Sequence, residues 1–300
     1  MPRGDMGETV FLGYDRAALD REYNNSGKVP NAAQYLARYP GESAHVREML
    51  PARLDLRYGP HPGEALDVFL PEGGGPWPVH VFVHGGYWRS LGKADFSFVA
   101  RGLQPAGVLV AVIDYALIPT VDMDELVRQV RASVAWLHRN AGALGGDPDR
   151  ITVSGHSAGG HLVAMLMSTD WTRFAGLPAD VVKAGCGISG LYDLEPIRLS
   201  YLNETLGLTM ETARRNSPVH LVPASAGPLL LPVGALEGDE YHRQTDSLAA
   251  AWRRRGLHVE VMDMAGHDHF SIITELADPG TALSRAILQQ IATTEQRRGR

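Results

Sequence analysis

The segment Ile151-Thr152-Val153-Ser154-Gly155-His156-Ser157-Ala158-Gly159-Gly160 constrains this chain more than any other stretch. A β-branched run ends in Gly155-x-Ser157-x-Gly159, and a helix-forming stretch follows at once. That order places a sharp turn between strand and helix and lifts the serine above the sheet edge. Glycines two before and two after the serine remove side chains that would clash. A helix starting at Ala158 aims free N–H groups and the positive end of its dipole at the space beside Ser157. The bare pattern is common by chance; the strand–turn–helix setting gives it weight. The bland alternative is an ordinary glycine-rich turn.

The rest of the chain supplies the sheet that such a turn needs. Residues 79–83, 108–113, 151–153 and 182–188 are short β-branched runs, as expected of parallel strands covered on both faces. Between them, residues 124–137 place Leu126, Val127, Val130, Val134 and Leu137 on one helical face, with Asp122 positioned to cap the start. Residues 158–167, 241–254 and 281–294 are further helices. Alternating strands and helices predict an α/β class with a mostly parallel central sheet flanked by helices. Residues 53–58 (RLDLRY) alternate like an exposed edge strand, and residues 65–70, ended by Pro71, form another strand. With 44% hydrophobic and 21% charged residues, the 300-residue chain has the balance of one large globular domain. Two parts stand apart. Residues 1–50 read as a helical cover, with helices over 15–23 and 31–39 around the loop Asn24-Asn25-Ser26-Gly27. Residues 190–227, including a helical 210–215, separate the strand ending at Ile188 from the next run, 229–233. An insertion there forms a small cap over the carboxyl ends of the strands, where open α/β sheets bind ligands.

Two further motifs agree with a serine nucleophile. His84-Gly85-Gly86-Tyr87-Trp88 directly follows a strand. Acyl transfer puts negative charge on a carbonyl oxygen, and N–H donors must already be aimed at it. Gly85, Gly86 and Ala158 are the expected oxyanion-hole donors. Tyr87 and Trp88 are expected to wall the substrate pocket next to the oxyanion hole, with plain core packing the bland alternative. Late in the chain, Gly234-Ala235-Leu236-Glu237 follows one strand, and Gly266-His267-Asp268-His269-Phe270 follows another, 258–262. The order Ser157, Glu237, His269 is the Ser…acid…His order of the α/β-hydrolase fold. A serine hydroxyl needs a base to take its proton, and the acid fixes the base's tautomer. Asp239 and Glu240 lie close to Glu237, with Asp239 the rival acid; His267 is the rival base. Cys186 reads as a buried strand residue.

Charge and composition exclude other classes. A net charge of −6 gives no electrostatic footprint for nucleic acid or an anionic membrane. No apolar stretch is long enough to span a bilayer. The start, MPRGDMGETVFLGYD, lacks the apolar core of a signal peptide, and the tail Arg297-Arg298-Gly299-Arg300 reads as a solvated end. One cysteine excludes an internal disulfide and fits a cytoplasmic setting. His156 and His161 flank the serine but have no third ligand near in sequence, so neither a metal nor a cofactor is expected.

Taken with these motifs, the chain resembles the kynurenine formamidase-like, feruloyl-esterase-like branch of the α/β-hydrolases. The resemblance runs through Ala18-Leu19-Asp20 to Tyr23-Asn24, His84-Gly85-Gly86-Tyr87-Trp88 and Asp114-Tyr115-Ala116-Leu117-Ile118-Pro119. It continues through Gly155 to His161, Ser217-Pro218, Glu240-Tyr241-His242-Arg243-Gln244 and Asp268-His269-Phe270. Matching the segment at Arg243-Gln244 puts the family's acid on Glu237, where the family member matched carries Asp. The resemblance implies a cofactor-free serine hydrolase acting on an N-formyl aryl amide of the N-formylkynurenine type or on a small ester. A short-chain carboxylesterase of the hormone-sensitive-lipase-like type is the alternative. A catalytically inactive binding protein is a third reading. The partners expected are a small-molecule ester or formamide, no nucleic acid and no membrane, with a homodimer left open.

Overall fold

The computed structural model describes residues 8–296. The first seven residues and the tail Arg297 to Arg300 lie outside the described residues. The central sheet has eight strands. In chain order they are β1 (Ala52–Arg57), β2 (Ala65–Phe69), β3 (Trp77–Val83), β4 (Leu109–Ile113), β5 (Gly146–His156), β6 (Val182–Ile188), β7 (Leu229–Gly234) and β8 (Val259–Met264). Their spatial order is β1-β2-β4-β3-β5-β6-β7-β8. The strands from β4 to β8 pair in parallel, and β2 runs antiparallel to both of its neighbours. This is the expected α/β-hydrolase sheet, with 53–58 at its edge as β1.

Side chains alternate between two cores because successive strand residues point to opposite faces. Val79, Val81, Val83, Leu109, Ala111 and Ile113 face one core. There they meet α3 (Met123–Asn140), α4 (Ala158–Met167) and α5 (Asp239–Arg254), through residues such as Val130, Leu162 and Trp252. Phe82, Val110, Val112, Cys186 and Ile188 face the other core. That face is covered by α2 (Ala32–Met49) and α6 (Ala282–Gln296), through Tyr39, Val46, Leu283 and Ile287. All five apolar residues expected on one face of α3 are buried, and the Asp122 carboxylate accepts the Glu125 N–H at 2.8 Å, as a cap should.

Several boundaries differ from expectation. The helix expected over 31–39 continues to Met49, through Pro40. Proline removes one helical hydrogen bond, but Tyr39, Ser43 and Val46 bury one side of the continuing helix. Packing there outweighs local propensity. The expected loop at 24–27 is a helical turn, Asn25–Lys28, after α1 (Arg16–Tyr23); the Asn24 carboxamide oxygen accepts the Gly27 N–H at 3.0 Å. β5 starts five residues early, because Gly146 already pairs with Trp77 ahead of a bulge. Segment 190–227 contains three short helices and a 3-10 turn, with no strand. Among the described residues, no helix is long and apolar enough to cross a membrane.

Candidate active site

Ser157 sits between β5 and α4 at φ 58° and ψ −119°. A non-glycine residue rarely adopts this backbone, and it persists only where the surroundings enforce it. Here they do. The Ser157 N–H donates to Ile188 O at 2.8 Å. A Cβ on Gly159 would lie 2.0 Å from Val83 O, and one on Gly155 would lie 2.5 Å from Gly159 O. The two flanking glycines therefore let β3, β5 and α4 meet backbone to backbone. The strained turn carries the serine to the carboxyl end of the sheet.

Two loops bring the partners. His269 follows β8, and its Nε2 lies 3.0 Å from Ser157 Oγ. Its Nδ1 lies 2.7 Å from Glu237 Oε2, just past the end of β7. A carboxylate can only accept, so the ring proton sits on Nδ1 and the Nε2 lone pair faces the serine hydroxyl. Glu237 is fixed in turn by its other oxygen, which accepts the Gly234 N–H at 2.8 Å and the Ser189 hydroxyl. The rivals are elsewhere. Asp239 is exposed at the start of α5. Glu240 accepts the Tyr23 hydroxyl at 2.6 Å and pairs with Arg243. His267 lies 3.3 Å from Glu275. Of the candidate acids and bases, the fold brings Glu237 and His269 to Ser157.

The loop at 84–88 closes the other side. Gly86, Tyr87 and Trp88 take successive positive φ values of 108°, 49° and 59°. A Cβ on Gly86 would stand 2.0 Å from Ser90 O, and one on Gly85 would stand 2.8 Å from His156 O and 3.1 Å from Ser157 Cβ. Glycine is thus required where this loop folds back and where it touches the serine turn. The Tyr115 hydroxyl anchors it by donating to His84 O at 2.9 Å. Ala158 opens α4, so its N–H lacks an intrahelical acceptor. Gly85, Gly86, Ser157 and His269 line one pocket of about 210 Å³.

Tyr87 lines this pocket; Trp88 does not, which corrects one expectation. The Trp88 ring is fully buried under the loop, and its Nε1 donates to His161 Nδ1 at 3.1 Å. His161 passes the chain on through Nε2 to Asn216 O at 2.7 Å, and burial pushes its pKa down to about 4. It is a neutral core brace. His156 lies 4.7 Å ring to ring from His269 and is held well below the ordinary histidine range, chiefly by burial. Among the described residues, no three His, Cys, Asp or Glu side chains group so as to hold a metal. Cys186 is buried in β6, as expected, with its thiol pKa pushed up by burial. A larger cavity of about 390 Å³ opens near Asp149, Trp171 and Lys183, and none of the residues gathered around Ser157 lines it.

Three residues outside the expected set also shape the site. Ser189 holds Glu237. Tyr241 packs 4.7 Å from the His269 ring, and its hydroxyl lies 2.9 Å from that of Tyr87. Asn25 donates to the Tyr241 hydroxyl at 2.7 Å and to that of Tyr87 at 3.2 Å. The only available signal was that Tyr241 and Asn24 fell inside resembling segments; a lone asparagine in a loop has no pattern to betray it.

The BD-FAE family model matches residues 66–249, more than half of the chain. The kynurenine formamidase of Danio rerio is 36% identical over 252 residues, covering 82% of this chain and 84% of that protein. The chain belongs to the kynurenine formamidase-like α/β-hydrolases. It is thus a hydrolase of the arylformamidase or carboxylesterase type. Within the wider kinship of this kynurenine formamidase-like chain, an isoprenylcysteine alpha-carbonyl methylesterase of Arabidopsis thaliana is 30% identical over 259 residues, covering 76% of this chain and 58% of that protein. A crystal structure from Silicibacter sp. tm1040, carrying a provisional thioesterase designation, superposes with a TM-score of 0.79 at 32% identity. It covers 90% of this chain and 98% of that one.

Proposed function

We propose that this hydrolase cleaves an N-formyl aryl amide of the N-formylkynurenine type, without a cofactor, through a formyl-serine intermediate. Ser157 Oγ attacks the formamide carbon while His269 Nε2 takes its proton. The charge that forms on the carbonyl oxygen is received by the N–H groups of Gly85, Gly86 and Ala158. The C–N bond then breaks, and His269 returns the proton to the departing arylamine. Water adds to the formyl ester, His269 takes and returns a second proton, and formate leaves with Ser157 restored. Glu237 keeps His269 in the required tautomer and offsets the charge of the imidazolium. The observation that carries this reading is the continuous chain from Ser157 Oγ to His269 (3.0 Å) to Glu237 (2.7 Å), with Ser157 and His269 lining the pocket.

The substrate class is supported by the similarity to the Danio rerio enzyme and by the pocket walls, which include Tyr39, Phe96, Tyr201 and Phe270. At about 210 Å³, the pocket falls below the usual range for drug-sized ligands, which suits a small acyl donor. In this reading the fold is a single α/β-hydrolase domain. The N-terminal helices cover the pocket through Asn25, Leu36 and Tyr39, and segment 190–227 is a small cap that reaches it through Tyr201. The single cysteine supports placing the enzyme in the cytoplasm. A second reading, a short-chain carboxylesterase, is favoured by the similarity to the Arabidopsis thaliana methylesterase. Steady-state hydrolysis separates the two. The proposal expects a higher kcat/KM for N-formylkynurenine than for p-nitrophenyl acetate or butyrate; the reverse ranking overturns it in favour of the esterase.

A further inference from the structure

We infer that Arg89 is the specificity-determining anion anchor of this pocket, receiving a carboxylate carried on the departing group of the substrate. The inference rests on the acyl-transfer reading above and adds to it the residue that selects for the anion. Among the side chains lining the pocket, Arg89 alone carries a fixed charge, and no Asp or Glu lines it. The remaining walls are aromatic, amide, hydroxyl and aliphatic groups together with His156 and His269. In a chain of net charge −6, a cleft holding one guanidinium and no carboxylate is a local inversion of sign.

The guanidinium is held in place without being neutralised. Its Nη1 donates to Thr205 Oγ1, on the cap segment, at 3.0 Å. No ion pair joins Arg89 to any described Asp or Glu. Asp20, which faces Tyr201 from α1, is already engaged by Arg16 at 3.0 Å and by the Tyr201 N–H at 2.7 Å. Arg89 lies close enough to Tyr201 that its positive charge favours the ionised phenol, against the raising effect of burial, which comes first, and of Asp20. A guanidinium has five N–H donors in a planar fork. With one given to Thr205, the remainder can receive a carboxylate in the two-pronged geometry that suits it. A single cation matches the single charge of a carboxylate better than the double charge of a phosphate ester.

Arg89 lies three residues after Gly86, and its own N–H donates to Gly86 O at 3.1 Å. The anchor and the expected oxyanion donors therefore belong to one rigid turn, so a substrate anion bound at Arg89 fixes the distance from that anion to the reacting carbonyl. This is positioning of the kind that lowers KM and aligns the carbonyl with Ser157.

The test uses matched pairs in two series, each with the carboxylate on the departing aryl group: 2-formamidobenzoate against formanilide, and 2-acetoxybenzoate against phenyl acetate. Wild-type enzyme is expected to prefer the anionic member of each pair. In Arg89→Gln, the anionic-to-neutral ratio of kcat/KM falls about 10- to 100-fold, the usual effect of losing a hydrogen bond to a charged group, and the change is carried mainly by KM. Arg89→Lys, which keeps the charge but loses the fork, retains part of the ratio and covers the case in which the Gln variant does not fold. A ratio unchanged in both variants, or a wild-type preference for the neutral members, overturns the anchor. Turnover confined to the ester series overturns the formamide reading and leaves the ester pair to decide on Arg89.

Discussion

At the residue scale, three neighbouring carboxylates show how a fold sends chemically equal side chains to different places. Glu237, Asp239 and Glu240 lie within four residues, and all three carry carboxylates. Glu237 stands in the turn after β7, where the Gly234 N–H and the Ser189 hydroxyl fix one oxygen and leave the other for His269. Asp239 and Glu240 already belong to α5, which carries the first into solvent and the second toward Tyr23 and Arg243. Glu237→Gln is therefore expected to lower kcat by orders of magnitude with little change in KM, because the amide keeps the shape but favours the wrong tautomer. Asp239→Asn is expected to cost less than about tenfold, since no shared partner couples it to the site. Steady-state kinetics on both variants check this, and the opposite ranking would move the acid to Asp239. The Glu237 position was legible because it is the first carboxylate after the end of β7, nearest the rigid strand. The roles of Ser189, Asn25 and Tyr241 were not, because each acts through a contact between segments far apart in sequence.

At the element scale, the buried strand runs announced themselves, and their ends did not. Runs at 79–83 and 182–188 read as strands because two covered faces favour apolar residues at most positions, with His80 and Lys183 the exceptions. The early start of β5 and the passage of α2 through Pro40 were illegible, because tertiary pairing and packing decided them against local signals. Trp88 illustrates the same limit: its neighbour Tyr87 faces the pocket, and a turn with consecutive positive φ values sends Trp88 into the core. Inside the sheet, His80 of β3 bridges to β5, with ring nitrogens 2.9 Å from Thr152 Oγ1 and 2.7 Å from Ser154 Oγ. Burial pushes its pKa down from 6.5 to about 3. In the unfolded chain the ring protonates near pH 6.5, while the folded state resists protonation until about pH 3. The unfolded state thus binds the extra proton in that window. Stability is full above pH 6.5 and falls as the pH drops toward 3, by up to about 1.4 kcal/mol per pH unit from this residue. His80→Gln is expected to flatten the acid side of a plot of Tm against pH. Equal slopes for the two proteins would mean that His80 does not carry the effect.

At the scale of the whole molecule, the sheet gathers what the sequence scatters. Ser157, Glu237 and His269 come from the ends of β5, β7 and β8, and the 84–88 loop comes from the end of β3. All of these strands run parallel, so their carboxyl ends share one edge of the sheet, and the site lies along it. The chain order of serine, acid and histidine made this arrangement readable in advance, whereas the covering residues Leu36, Tyr39 and Tyr201 depend on how peripheral helices settle. The central claim is that Ser157 is the nucleophile of this hydrolase, and it is most directly tested by titrating the protein with a fluorophosphonate and following adduct mass and residual turnover of N-formylkynurenine together. The account predicts one adduct per chain, on the peptide containing Ser157 and absent from Ser157→Ala, with turnover falling in proportion to labelling. Turnover that survives full labelling, or an adduct at another residue that abolishes activity, would contradict it.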